Sequence, residues 1–185
     1  MIRNARPADA PQAVPLLFQA MYDVACKLAG TTSNGVLQPL FEHFFRQPGN
    51  QYSYEHTLVF EDERGLGGII VGYDGALLEA LREPVLSYIS AQLGHAYLPG
   101  DETGPGEYYL DSIAVAPASQ GKGIGRQLIY AAEDKARAQG HPRTGLLVSD
   151  GNPDARRLYE RLGYTVREAV QFSGGNYLHL VKMLS

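Results

Sequence analysis

The stretch Leu110-Asp111-Ser112-Ile113-Ala114-Val115-Ala116-Pro117-Ala118-Ser119-Gln120-Gly121-Lys122-Gly123-Ile124-Gly125-Arg126 decides how this chain is read. A hydrophobic run reaches Val115 and ends at Pro117, where a proline removes a ladder donor. Glycines at 121, 123 and 125 then open a helical pattern that continues to about Ala138. Glycine lets backbone N–H groups approach a ligand with no side chain in the way. A helix N-terminus adds unpaired donors and a partial positive charge, so anions settle there. Lys122 and Arg126 put further charge on the same turn. The residues alone describe a phosphate or pyrophosphate site, or a flexible turn that merely joins strand to helix.

Two common phosphate ligands fail on spacing. A nucleoside-triphosphate loop requires Lys followed by Ser or Thr, and neither pair occurs in the chain. The dinucleotide fingerprint requires Gly-x-Gly-x-x-Gly, and Arg126 stands where its third glycine would be.

Working outward, Tyr108 to Val115 reads as a strand, Thr144 to Ser149 as another, and Pro153 to Leu162 as a helix between them and two closing strands near 164–172 and 177–182. Strand–helix–strand order implies a parallel pair inside a central sheet. Upstream, Ile2 to Arg6 reads as a short strand. A helix capped by Asp9 follows, with Pro15 making its start uncertain, and a second helix spans Val36 to Phe45 after a loop at 30–35. Tyr54 to Glu61 and Leu66 to Tyr73, turned at Asp62-Glu63-Arg64-Gly65, form an antiparallel hairpin. Ala76 to Leu93 is helical in pattern but interrupted by Pro84, and Gly100 to Gly106 is a Gly/Pro/acidic loop. No stretch has linker character. The expectation is one domain, 1–185, with a helical insertion at about 76–106.

The segment Gln120, Gly123, Gly125 resembles motif A of the GNAT superfamily of acyl-CoA-dependent N-acyltransferases, Gln/Arg-x-x-Gly-x-Gly/Ala. Downstream, Asn152-Pro153-Asp154-Ala155-Arg156-Arg157-Leu158-Tyr159-Glu160-Arg161-Leu162-Gly163-Tyr164 resembles motif B of the same family. The resemblance is close over 108–164, and the first hundred residues match in element order alone. It implies an α/β (α+β) fold with a mixed, mostly antiparallel sheet of six or seven strands and helices on both faces. It also implies an enzyme that moves an acetyl group from acetyl-CoA to a primary amine by direct transfer, without a metal.

By the same resemblance, Ile113, Ala114 and Val115 pair their backbone with the pantetheine arm as an added strand does. The amides of Gly121, Lys122, Gly123, Ile124, Gly125 and Arg126, with Gln120, hold the pyrophosphate. The Ile113 N–H faces the thioester carbonyl, where a donor acts most strongly on developing oxyanion charge. Tyr159 matches the family tyrosine near the sulfur, and a phenol can protonate a departing thiolate. Tyr159 also fits a core aromatic beside Ala155, Leu158 and Leu162, and the two roles are compatible. Asn152 suits a helix cap as well as a coenzyme contact.

The base that deprotonates the amine is the weakest part of the pattern. Glu107 and Asp111 flank the coenzyme strand and are the nearest carboxylates in sequence. The plainer reading makes Glu107 a solvated strand-end charge and Asp111 a hydrogen-bonded structural residue. The bases used elsewhere in the family do not transfer, because Leu147 and Tyr109 stand in those regions. His56, His95 and His179 lack metal-ligand spacing.

Composition sets the remaining bounds. The 185 residues are 44% hydrophobic and 19% charged, with net charge −4. That balance argues against a nucleic-acid surface and mildly favours a cationic acceptor. The single cysteine, Cys26, forms no internal disulfide and fits a reducing cytoplasm. No apolar run is long enough for a bilayer, and the N-terminus lacks a signal-peptide core. The expectation is a cytoplasmic monomer or homodimer acting on a small-molecule amine in preference to a peptide or protein amine. The competing reading is a catalytically silent coenzyme A-binding sensor or interaction module.

Overall fold

The computed structural model describes all 185 residues. Seven strands form one sheet in the order β1-β2-β3-β4-β5-β7-β6. They are β1 (Ile2–Asn4), β2 (Thr57–Asp62), β3 (Gly65–Asp74), β4 (Tyr108–Val115), β5 (Arg143–Ser149), β6 (Thr165–Phe172) and β7 (Gly175–Met183). All neighbours are antiparallel except β4 and β5. The expected mixed sheet with one parallel pair is therefore present. Its order carries one feature absent from the linear pattern: β7 lies between β5 and β6.

Five α-helices cover the two faces. α1 (Ala10–Ala29), α2 (Asn34–Arg46) and α3 (Leu78–Leu93) pack with Val59, Ile69, Val71, Tyr73 and Tyr109. On the opposite face, α4 (Ile124–Ala138) and α5 (Pro153–Arg161) cover Leu58, Ile70, Leu110, Leu146 and Leu180. Alternate residues of each strand feed opposite cores, as the pleat requires.

Four features differ from the sequence expectation. Pro84 does not interrupt α3, because Leu78, Leu81, Val85 and Ile89 form a buried stripe that holds the helix while the proline faces solvent. β2 begins at Thr57, not Tyr54; Ser53 accepts from the Glu55 N–H and bends 54–56 into a short 3-10 turn. The loop before α2 shortens, because helix begins at Asn34. α1 continues past Pro15 and kinks later, at Met21, where φ is −136°.

Two irregularities in the middle of the sheet position the site. β4 and β5 pair at Tyr108–Thr144 and Tyr109–Gly145 only. Beyond those registers β5 pairs with β7 alone, so the sheet splits into a wedge along Leu110–Val115. The second irregularity is a β-bulge opposite Val71 and Gly72 that leaves Asp111 without a partner on β3. A bulge re-aims side chains, and here consecutive Asp111 and Ser112 line the same cavity.

Candidate active site

The wedge has two ends of opposite chemistry. At one end, the turn after β4 leads into α4. Gly121 and Gly123 adopt φ of 76° and 74°, left-handed values that strain any side chain. Gly123 is the N-cap residue, and no side chain caps the helix. The first backbone bond runs from the Gln127 N–H to the Gly123 carbonyl at 3.1 Å. The N–H groups of Ile124, Gly125 and Arg126 therefore point out of the helix end unpaired. They face a cavity of about 780 Å³, lined also by Val115, Lys122, Leu158 and Arg161. Lys122, Arg126 and Arg161 supply its charge, and no carboxylate is among its lining residues. Such a donor set accepts an anion.

The cavity brings together Val115 and Gln120 through Arg126. Gln120 Nε2 donates to the Val115 carbonyl at 3.2 Å, and Lys122 Nζ to the Ala118 carbonyl at 2.9 Å, so both side chains brace the turn. Ile113 packs against the α4 core, while the Ala114 side chain is buried on the other face; only its backbone can face the wedge. Asn152 accepts from the Ala155 N–H at 3.1 Å, so the capping role is realised. Neither Asn152 nor Tyr159 lines the glycine-turn cavity, whereas Leu158 does. Tyr159 packs edge-on against Tyr164 at 6.0 Å. Burial alone pushes its phenol to about 12, so the hydroxyl keeps its proton throughout the neutral range.

At the other end lies a smaller cavity of about 100 Å³. Asp111 sits there and accepts from three donors: the Tyr73 hydroxyl at 2.7 Å, Gln51 Nε2 at 2.9 Å and Ser112 Oγ at 2.8 Å. Facing it is Glu102, from the loop after α3. Its Oε1 accepts from Gln51 Nε2 at 2.7 Å and its Oε2 from Arg82 Nη2 at 2.7 Å. An amide nitrogen carries two hydrogens. Gln51 therefore spans the two carboxylates, and the Tyr73 hydroxyl donates to Asp111. Burial, and then the charge of Asp111, push Glu102 up to about 7 against the opposing charge of Arg82.

Glu102 is the principal residue that sequence reasoning passed over. It lies in the aperiodic 100–106 loop, where nothing in the local pattern distinguishes it from Asp101. Asp101 is exposed and Glu102 is 7% exposed. Arg82 separates them: its guanidinium takes Asp101, Glu102 and the carbonyls of Pro99 and Gly100 and folds the loop inward.

Glu107 is placed differently from the solvated strand-end charge that the sequence suggests. It is 2% exposed and lines a separate cavity, which shares Glu102 with that of Asp111. His179 Nε2 lies 3.1 Å from both of its oxygens, and Thr103 Oγ1 donates to it at 2.8 Å. Arg143 lies at 3.8 Å. Burial pushes this carboxyl up, but the bonds from His179 and Thr103 and the nearby positive charge outweigh it and hold it below its ordinary value. A β-carbon on Gly145 would come within 2.4 Å of the Glu107 carboxylate, so a side chain there would displace it from its present bonds. No group of His, Cys, Asp and Glu side chains has the arrangement of a metal site, and no helix is long and apolar enough to cross a membrane.

Comparison with known proteins identifies the family and the fold. The Acetyltransferase (GNAT) family matches residues 36–164. A mycothiol acetyltransferase of Streptosporangium roseum is 42% identical over 72 residues, covering 39% of this chain and 19% of its own. An acetyltransferase of Agrobacterium fabrum is 30% identical over 109 residues, covering 50% of this chain and 78% of the relative. The chain thus spans about a fifth of the length of the first of these relatives. Among solved structures, one described as an acetyltransferase superposes with a TM-score of 0.86 at 30% identity over 100% of both chains. An N-acetyltransferase from Staphylococcus aureus follows at 0.85 and 25%, covering 98% of this chain and 99% of its own.

Proposed function

The chain belongs to the GNAT acetyltransferase family, and from that premise we propose that it transfers an acetyl group from acetyl-CoA directly to a primary amine held in the Glu102–Asp111 cavity. The observation that carries the reading is the wedge between β4 and β5. It joins an uncapped, carboxylate-free helix terminus to a pair of carboxylates, Glu102 buried and Asp111 half-buried.

Each end has a role under this reading. The amides of Gly121 to Arg126, with Lys122 and Arg126, hold the diphosphate. The unpaired edge of β4 between Ile113 and Val115 takes the pantetheine arm as an added strand. The Ile113 N–H polarises the thioester carbonyl. Glu102 is the base: it is charged above about pH 7 and sits beside Asp111, whose negative charge attracts the incoming ammonium. Asp111 orients the amine through the network with Tyr73 and Gln51. The Tyr159 hydroxyl, neutral to about 12, donates to the departing thiolate. Glu107 has its own partners and stands outside this sequence of proton movements.

Calorimetry with coenzyme A on the native protein and on Gly125→Leu tests the reading. Gly125 lies inside α4 without a left-handed φ, and a β-carbon there meets only Val115, at 3.6 Å. A leucine is therefore compatible with the helix but projects into the diphosphate cavity. Affinity should fall by roughly a hundredfold, the scale of about 3 kcal/mol, with an unchanged melting temperature. Native protein that binds no coenzyme A at millimolar concentration would refute the assignment.

A further inference from the structure

The acceptor cavity is uneven along its length. Its carboxylates are gathered at one end, because Gln51 bonds both Glu102 and Asp111, and Ser112 is bonded to Asp111. The rest of the wall comes from Ala20, Met21 and Val24 of kinked α1, Tyr52 ahead of β2, Tyr109 of β4, Leu147 of β5, and Phe172 and Tyr177 at the β6–β7 turn. Phe172 and Tyr177 meet edge-to-face at 6.0 Å. No carboxylate stands among these wall residues. Asp23 bears on Tyr177 electrostatically but is exposed and does not line the cavity.

The turn beside the cavity is tied down. Lys27 of α1 donates to the Ser173 carbonyl, and the Tyr97 hydroxyl bonds Ser173 Oγ at 2.9 Å. These bonds join α1, the loop after α3 and the β6–β7 turn, and Lys27 places a cation at the junction.

Resting on the acetyl-transfer reading, we propose that the acceptor is a small monoamine: one primary ammonium on a compact apolar stem, not a polyamine, an amino sugar or a peptide N-terminus. One ammonium is matched by the carboxylate pair. A second, a few carbons away, would be stripped of water among Val24, Leu147 and Phe172 with no carboxylate to pair it. Hydroxyl-rich stems meet the same wall.

The discriminating pair is n-pentylamine and putrescine, chains of equal length that differ by a terminal methyl against an ammonium. Thiol release from acetyl-CoA is followed for each, alongside a short peptide with a free α-amine. The monoamine should lead putrescine by roughly tenfold or more in kcat/KM, since the diamine strands a charge. Val24→Asp, a change on the half-buried face of α1, should narrow or invert that ratio. Putrescine or the peptide used as well as pentylamine would overturn the inference while leaving acetyl transfer intact. So would a ratio unmoved by Val24→Asp, or bound acetyl-CoA with no turnover of pentylamine. Failure to bind acetyl-CoA at all would instead remove the underlying reading, and this inference with it.

Discussion

Arg82 Nη2 holds Glu102 Oε2 at 2.7 Å, so the other oxygen of that carboxylate, Oε1, is the one turned toward Gln51 and Asp111. The ion pair therefore both anchors a loop and selects which oxygen faces the acceptor. Glu102 has a value of about 7, and its proton must leave before it can take one from an ammonium. Activity, as kcat/KM, should rise through about pH 7 and level above it. Glu102→Gln should lower kcat by roughly a hundredfold and remove that limb from the profile. A limb retained at pH 7 in the Gln variant would assign it to another group.

The same value carries a stability consequence of opposite sense. Glu102 binds its proton more tightly folded than unfolded, so the fold is favoured below the ordinary value of 4.5 and loses that contribution as pH climbs to about 7. In the Gln variant this component of the pH dependence of the melting temperature should disappear, which thermal scans from pH 5 to pH 8 would show.

Arg82 should tune the limb without touching substrate. Its charge pulls Glu102 down against burial and Asp111, so Arg82→Met should move the limb above pH 7 and lower activity at neutral pH. A plain loss of packing would lower the folded fraction and leave the limb in place. The profile, read together with a melting curve, separates the two outcomes.

These two residues also show where sequence reading ends. Gly121, Gly123, Gly125 and Tyr159 lie in short local patterns with fixed spacing, so the strand, turn, helix and parallel pair were legible. Glu102 and Arg82 are 20 positions apart in an aperiodic loop and a helix, and only the folded loop makes them neighbours. The insertion of β7 between β5 and β6 is similarly a pairing choice, and strand periodicity does not encode which neighbour is taken. The Asp111 bulge was hidden for the same reason: it is a mismatch in register between two strands, not a property of either.

Tyr159 offers a clean separation of chemistry from packing. Its ring is wedged against Tyr164, and no hydrogen-bonding partner contributes to the rise of its phenol to about 12. Tyr159→Phe should therefore leave the melting temperature and coenzyme A affinity within error while lowering kcat by roughly tenfold to a hundredfold. An alkaline decline in the native rate near pH 12 is beyond practical reach, so the substitution is the decisive measurement. Undiminished turnover in the Phe variant would take the tyrosine out of the proton-transfer role.

Glu107 should behave in the contrary way, as a stabilising group whose loss spares the chemistry. It is 2% exposed, with His179 at 3.1 Å, Thr103 at 2.8 Å, and Gly145 leaving it room. Its carboxyl is held below the ordinary 4.5, so its contribution to stability is present above that value and is lost as pH falls through the folded one. Glu107→Gln leaves His179 and Arg143 facing a neutral amide and should cost about 3 kcal/mol, read as a lower urea midpoint at pH 7. The deficit should shrink toward acid, where the native carboxylate is itself protonated. Among molecules that remain folded, kcat at saturating amine should stay within about twofold of native, because the catalytic carboxylates under this reading are Glu102 and Asp111. A variant that keeps full stability while losing turnover would return Glu107 to the chemistry.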